Sequence, residues 1–190
     1  MRWQQLFADL QAQFEAEEAA VDRAESASRA RAEVGAVGIA DRLRGAVGNP
    51  VTLGCGRAGT FAGVLVEVGP DWLLVEHDGA RSCLVALSAV RSVAGLGRRT
   101  AAAAELPGPV RGRLDLRRAL RGLARDRSVV QVVLDDGSVL GGTLDRVGAD
   151  YVELAEHPAD LPRRAEAVQG VRAVLIGGIA VVRTVTAGLD

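Results

Sequence analysis

Apolar residues alternate with other residues in two separate stretches of the chain, and both stretches follow the same pattern. Each reads strand, turn, strand, turn, strand, first over residues 51–76 and again over residues 129–154. Such alternation is typical of β-strands that place one face on a core. In the second stretch Asp136-Gly137 is a strong hairpin signal, because both residue types tolerate a positive φ. The repetition predicts two similar units rich in β-strands.

The repeat extends in both directions beyond these three strands. Residues 85–93 align with residues 174–182, and each reads as a strand, a very short turn and another strand. A short helical pattern precedes each copy, and Leu43-Arg44-Gly45 in the first recurs as Leu120-Arg121-Gly122 in the second. The predicted unit is therefore a short helix followed by five strands.

Glycines at matching places in the second strand of each copy, Gly63 and Gly142, predict the shape of the unit. Glycine weakens a flat strand, so its presence there indicates a sharp bend. A bent strand pairs with different neighbours along its two halves, which lets five short strands close on themselves. The predicted fold is mainly β with α: two tandem five-stranded small barrels, each preceded by a short helix.

Four segments follow from these patterns. Residues 1–33 form an N-terminal amphipathic helix, residues 34–97 barrel 1, residues 98–113 a linker interrupted by Pro107-Gly108-Pro109, and residues 114–190 barrel 2. The helix could form a coiled-coil seam between subunits or lie across its own barrel, and the pattern leaves both open. Its apolar stripe comprises Trp3, Phe7, Leu10, Phe14, Val21 and Ala24.

Charge and composition limit the partners. The 190 residues carry 23 basic and 24 acidic side chains, for a net charge of −1, so any attraction to nucleic acid must come from local patches. No apolar run is long enough to span a bilayer, and the first residues lack the apolar core of a signal peptide. The two cysteines, Cys55 and Cys83, are too few for a disulfide framework. A cytoplasmic protein without a membrane partner is expected.

The helix followed by five bent strands resembles the Sm-like proteins, which include the bacterial Hfq group and share a small SH3-like barrel. Residues 130–154 resemble the first Sm signature and residues 176–182 the second, and the likeness covers most of residues 42–94 and 116–185. The resemblance implies RNA binding and ring assembly through strand edges. The positions of the family's base-contacting residues hold other types here, so its usual uridine pocket is not expected. Those positions are Gly69, Leu73 and Ser88 in the first copy and Gly148, Val152 and Gly177 in the second.

Two groups of residues are candidates for nucleic-acid binding. One face of the second short helix carries Arg117, Arg118, Arg121 and Arg125, which suits contacts to phosphates but also suits a solvated helix face. Trp72 and Tyr151 occupy matching positions opposite the core face. They could stack on single-stranded bases, or lie under a helix or between the barrels.

Nothing in the sequence suggests catalysis. His77 and His157 lack Cys or His partners at metal-ligand spacing, and there is no phosphate-binding glycine loop or nucleophile motif. The expected protein is thus a non-enzyme without metal or cofactor. The first hypothesis is a regulatory protein that binds RNA or single-stranded nucleic acid. The alternative is a protein–protein interaction or oligomerisation module that uses the barrel edges and the N-terminal helix.

Overall fold

A computed structural model describes residues 2–77, 81–97, 114–158 and 168–185. The predicted linker over residues 98–113 lies outside these ranges. The chain divides into two compact units, Met1–Gly38 and Ile39–Asp190. No helix of the described part is long and apolar enough to cross a membrane.

The first unit contains one long helix, α1, which spans Arg2–Ala36 and covers the segment where the sequence predicts a helix over residues 1–33. Phe7, Phe14 and Val21 are spaced seven residues apart and are all exposed, at 63%, 63% and 58%. An interval of seven residues keeps side chains on nearly the same face of a helix. These three residues therefore form an exposed apolar row along α1.

The second unit contains two helices and ten strands in its described residues. Helix α2 (Ile39–Arg44) precedes the first five strands, and helix α3 (Leu116–Arg125) precedes the second five. Leu43 of α2 and Leu120 of α3, aligned by the repeat, are both fully buried. The strands are β1 (Pro50–Gly54), β2 (Thr60–Val68), β3 (Trp72–His77), β4 (Arg81–Ala86), β5 (Ser92–Ala94), β6 (Val129–Leu134), β7 (Val139–Val147), β8 (Tyr151–Glu156), β9 (Gly170–Leu175) and β10 (Ile179–Thr184).

All ten strands belong to one antiparallel sheet, in the order β5-β1-β2-β3-β4-β10-β6-β7-β8-β9. The prediction of two closed five-stranded barrels is therefore wrong, although the mainly-β class is correct. The two copies join where β4 of the first pairs with β10 of the second, through Val181↔Val85, Val182↔Leu84 and Arg183↔Cys83. The physical reason is that Ile179–Val182 is apolar on both strand faces and buried throughout, which suits an inner strand of the joined sheet, where both faces are covered.

The internal repeat survives within this sheet, because each half has the same strand order. Matching loops also make matching hydrogen bonds. Gly69 N–H donates to the Trp72 carbonyl at 2.8 Å, and Gly148 N–H donates to the Tyr151 carbonyl at 2.8 Å. The next bond repeats too, because Leu87 N–H donates to Asp71 O and Ile176 N–H donates to Asp150 O. The two halves thus share the same strand order and the same loop hydrogen bonds.

Gly63 and Gly142 lie in the second strand of their halves, as the sequence predicts. A Cβ at Gly63 would overlap the Glu76 carbonyl oxygen, and a Cβ at Gly142 would overlap the Ala155 carbonyl oxygen. Each glycine is followed by a shift in register against the next strand, between Leu65 and Glu67 in β2 and between Leu144 and Arg146 in β7. Glycine therefore permits close strand approach just before an irregularity of the kind that bends a sheet.

Helix α3 contacts both halves of the sheet. Its body packs on β7, and its N-cap residue Asp115 accepts a hydrogen bond from Arg118 N–H at 2.9 Å. Its first turn reaches the first half, where Asp71 Oδ1 accepts from Leu116 N–H at 2.8 Å. One buried cluster contains residues from both copies, so the core is shared.

Candidate interaction surfaces

Trp72 and Tyr151 hold matching backbone positions but differ in exposure. Trp72 is 5% exposed, and its Nε1–H donates to the Leu114 carbonyl at 2.6 Å, just before α3. Its ring also lies against Gly69, where a Cβ would overlap the indole. Tyr151 lies over Gly148 in the same way but is 37% exposed. Of these two residues, only Tyr151 therefore offers an exposed aromatic surface.

The predicted arginine face lies on α3. Arg118, Arg121 and Arg125 are exposed and Arg117 is half-buried, while Leu116 and Leu120 turn toward the core. Arg125 Nε lies 3.7 Å from the Asp126 carboxylate, a distance at which an exposed ion pair contributes little. Three of the four predicted arginines thus reach solvent along one helix.

The two histidines hold structural hydrogen bonds. His157 is buried, with Nδ1 2.9 Å from the Pro158 carbonyl and Nε2 2.8 Å from Thr143 Oγ1. Because a carbonyl only accepts, Nδ1 is the donor in the contact with Pro158. His77 Nδ1 lies 3.0 Å from the Ala62 carbonyl. Across the described ranges, no group of three or more His, Cys, Asp or Glu residues could hold a metal ion.

The outer strands of the sheet, β5 and β9, have one strand neighbour each in the described part of the chain. On β9, Val171 is 62% exposed and Leu175 is 66% exposed. The matching strand of the first half, β4, is covered by β10, and there Leu84 and Ala86 are only 8% and 2% exposed. The same element therefore has strand neighbours on both sides in one copy and, among the described residues, on one side in the other.

The junction between β4 and β10 also involves helix α3. An apolar groove of about 230 Å³ runs between α3 and the strands β3, β4 and β10. Ala119 and Leu123 of α3 face Leu84 of β4 and Val182 of β10 across it. Strand β10 therefore covers the edge of the first half, and α3 lines the groove beside it.

A second surface lies at the seam between the halves, at the end where β2 and β4 begin. A cleft of about 280 Å³ there, which we call the seam cleft, is lined by Phe61, His77, Arg81, Cys83 and Arg183 among others. A neighbouring cleft of about 260 Å³ shares Arg81, Cys83 and Arg183 and adds Gln131 and Thr184. No described residue that lines either cleft is acidic. Motif reasoning from the sequence missed this site, because its residues come from strands far apart in the chain.

Comparisons with known proteins found no matching protein family and no similar curated protein. The Sm-like resemblance therefore remains a prediction from the sequence pattern.

Proposed function

We propose that this protein is a non-enzymatic assembly module in which copies of the chain join through their sheet edges. In this arrangement β9 of one copy pairs with β5 of the next and repeats the junction that β4 and β10 make within the chain. The single observation that carries the proposal is the contrast between β4, which pairs with β10, and β9, which has no second strand partner among the described residues.

The chemistry of the β9 edge supports a second strand as its occupant. Ile176 N–H donates to Asp150 on the β8 side, and antiparallel pairing alternates along a strand. The N–H groups of Val174 and Arg172 therefore point toward β8, and those of Ala173 and Leu175 point away from the sheet. An edge with free N–H and C=O groups and exposed apolar side chains is a template for strand addition.

The repeat also specifies the register of the proposed pairing. Ala173 is the counterpart of Leu84, and Val93 is the counterpart of Val182. Because Leu84 pairs with Val182 within the chain, Ala173 should pair with Val93 of a second copy. Arg172 would then face Ala94, the counterpart of Arg183, so the register brings no two arginines together. A second copy of this chain is therefore an acceptable partner for β9.

The test is the mass of the protein in solution, measured by light scattering after size exclusion. Wild-type protein should have a mass of at least two chains at micromolar concentration. Ala173→Pro should have the mass of one chain, because proline removes an N–H that points outward and leaves the bonds to β8 intact. Circular dichroism should show the same strand content for both proteins.

A matched pair of variants separates the edge from general surface effects. Leu175→Glu places a charge on the β9 edge, whereas Val139→Glu places one on an equally apolar position of the inner strand β7, where Val139 is 58% exposed and pairs with Val133. Leu175→Glu should reduce the mass and Val139→Glu should not. A wild-type protein of one-chain mass, or assembly that survives Ala173→Pro, would contradict the proposal.

Nucleic-acid binding is a second candidate, favoured by one observation: Arg118, Arg121 and Arg125 are exposed along α3. Arginines spaced along one helix can contact successive phosphates. The test is filter binding to mixed-sequence single-stranded RNA and DNA at two salt concentrations. Binding should weaken steeply with salt and be lost in the triple Arg→Gln variant. Binding that is absent in wild-type protein, or unchanged in the variant, would rule out this face.

A further inference from the structure

The seam cleft contains an arginine whose charge has no described counter-ion. Arg183 is half-buried on β10, between Cys83 of β4 and Gln131 of β6. Its guanidinium carbon lies 5.0 Å from the centre of the Phe61 ring. Its Nε is buried and has no hydrogen-bond partner among the described residues. A cation–π contact offsets part of the cost of burying this charge, but it does not provide an acceptor for the Nε–H donor.

A second arginine adds to the positive charge at this site. Arg81 is exposed at the start of β4, and it lines both the seam cleft and the neighbouring cleft together with Arg183. Acidic residues slightly outnumber basic ones in the whole chain, at 24 to 23. Two arginines without an acid among the described lining residues are therefore a local feature and not the average composition. Burial raises the pKa of the neighbouring Cys83 thiol, while the positive charge of Arg183 opposes that rise.

We propose that the seam cleft binds a small phosphate-bearing anion, held between Arg81 and Arg183. A guanidinium group presents its N–H donors in a planar fork that matches phosphate oxygens, and it stays charged at any physiological pH. Thr60 lines the same cleft and supplies a hydroxyl donor. The bound anion would neutralise the half-buried charge of Arg183 and use its remaining donors.

The size of the site limits the ligand. At about 280 Å³ the cleft lies just below the volumes typical of pockets for drug-sized molecules. It therefore suits a phosphate or pyrophosphate group better than a whole dinucleotide. The phosphate could belong to a free metabolite or to the backbone of a nucleic acid, and the probes below distinguish these sources.

The experiment is isothermal titration of the full chain with inorganic phosphate, with pyrophosphate and with a short single-stranded oligonucleotide that lacks terminal phosphates. Phosphate or pyrophosphate should bind saturably and raise the melting temperature of the protein. Arg81→Gln and Arg183→Gln should each weaken binding at least about tenfold, the size expected for the loss of a charge-assisted hydrogen bond. Arg81 makes no ion pair with a described residue, so Arg81→Gln should fold normally and keep the test valid if Arg183→Gln is unstable.

The matched control is Arg146→Gln, which removes one positive charge from an exposed arginine of β7 whose pair with Glu153 spans 3.7 Å. Its affinity for phosphate should stay within about twofold of wild type, since exposed charges at a distance are screened by salt. If only the oligonucleotide bound saturably, the phosphate recognised would be that of a nucleic-acid backbone, and the proposal of a small anion would be overturned. No saturable binding by wild type, or equal affinity in Arg81→Gln, would overturn the site itself. Neither result depends on the β9 edge, so the experiments can contradict the anion site without contradicting the proposed assembly, and the reverse.

Discussion

Replacing Leu154 by alanine tests whether the two halves of the sheet unfold as one unit. Leu154 is fully buried in β8, in the second half of the sheet. The change removes three carbon atoms, worth about 2.4 kcal/mol of transfer free energy at about 0.8 kcal/mol each, and leaves a cavity that adds to this loss. We expect a loss of about 3 kcal/mol in the free energy of unfolding. With a urea m-value of about 2 kcal/mol/M, the unfolding midpoint should fall by about 1.5 M.

The assay reads the opposite half of the sheet. Trp72 is buried at the start of β3, in the first half, and bonds to Leu114 beside α3, so its fluorescence in a Trp3→Phe background reports on the first half and on its contact with α3. In one continuous sheet with a shared core, the Trp72 midpoint should fall together with the midpoint measured by circular dichroism. Val139→Ala, at a position 58% exposed, should change stability by no more than about 0.5 kcal/mol.

The reasoning would be refuted by separate transitions. If Trp72 keeps its wild-type midpoint in Leu154→Ala while circular dichroism shows an earlier step, the halves unfold independently. The pairing between β4 and β10 would then be too weak to couple them, and the idea that its equivalent joins separate chains would lose its basis.

Three further predictions concern single positions. Gly142→Ala should destabilise the protein by about 1–3 kcal/mol in urea unfolding, because a Cβ there would overlap the Ala155 carbonyl, whereas Gly177→Ala, with open space around it, should be nearly neutral. Asp71→Ala should cost about 1 kcal/mol in the same assay, because Leu116 N–H loses its acceptor. The pKa of Asp136, measured by NMR titration, should lie below the usual aspartate value, because Ser138 N–H donates to the ionised carboxylate. The folded pKa is the lower one, so this contribution to stability is present above the unfolded pKa and disappears as the pH falls through the folded pKa.

Much of the secondary structure could be read from the sequence, because alternation and turn residues act locally. The predicted helical stretches at residues 39–46 and 114–126 contain α2 and α3, and both aligned copies contain five strands. Gly63 and Gly142 identified the irregular strands correctly, since only glycine allows the close approach to the neighbouring backbone. These features depend on residues near each other in the chain or directly across a hairpin.

The partner of each sheet edge could not be read in the same way. Alternation indicates that a segment is a strand, but it does not say which distant strand pairs with it. One signal was present in the sequence. Ile179–Val182 is an uninterrupted apolar run, which favours a strand covered on both faces over a barrel strand with one face in solvent. The prediction of a separate barrel for each copy did not account for this run.

The candidate sites depend even more on tertiary contacts. Trp72 and Tyr151 have the same local sequence setting, yet Trp72 is buried because Leu114 and α3 lie over it and Tyr151 has no such cover among the described residues. The seam cleft joins Phe61, Arg81 and Arg183, which are far apart in sequence and meet only because β10 pairs with β4. A search for motifs examines neighbours along the chain, so it could not find this cleft.

The two outer strands, β5 and β9, each lack, among the described residues, a strand neighbour that the counterpart strand in the other half has, and a single pairing between copies would supply both. Strand β10 has partners on both sides and is six residues long, whereas its counterpart β5 has one described partner and is three residues long. Strand β9 keeps its full six residues but leaves Val171 and Leu175 exposed. Pairing β9 of one copy with β5 of another would place Arg172–Val174 against Ser92–Ala94 and give β5 the second neighbour that its counterpart has. Because one contact would satisfy both ends, the same pairing could continue from copy to copy, and the angle between successive copies would decide whether the assembly closes into a ring.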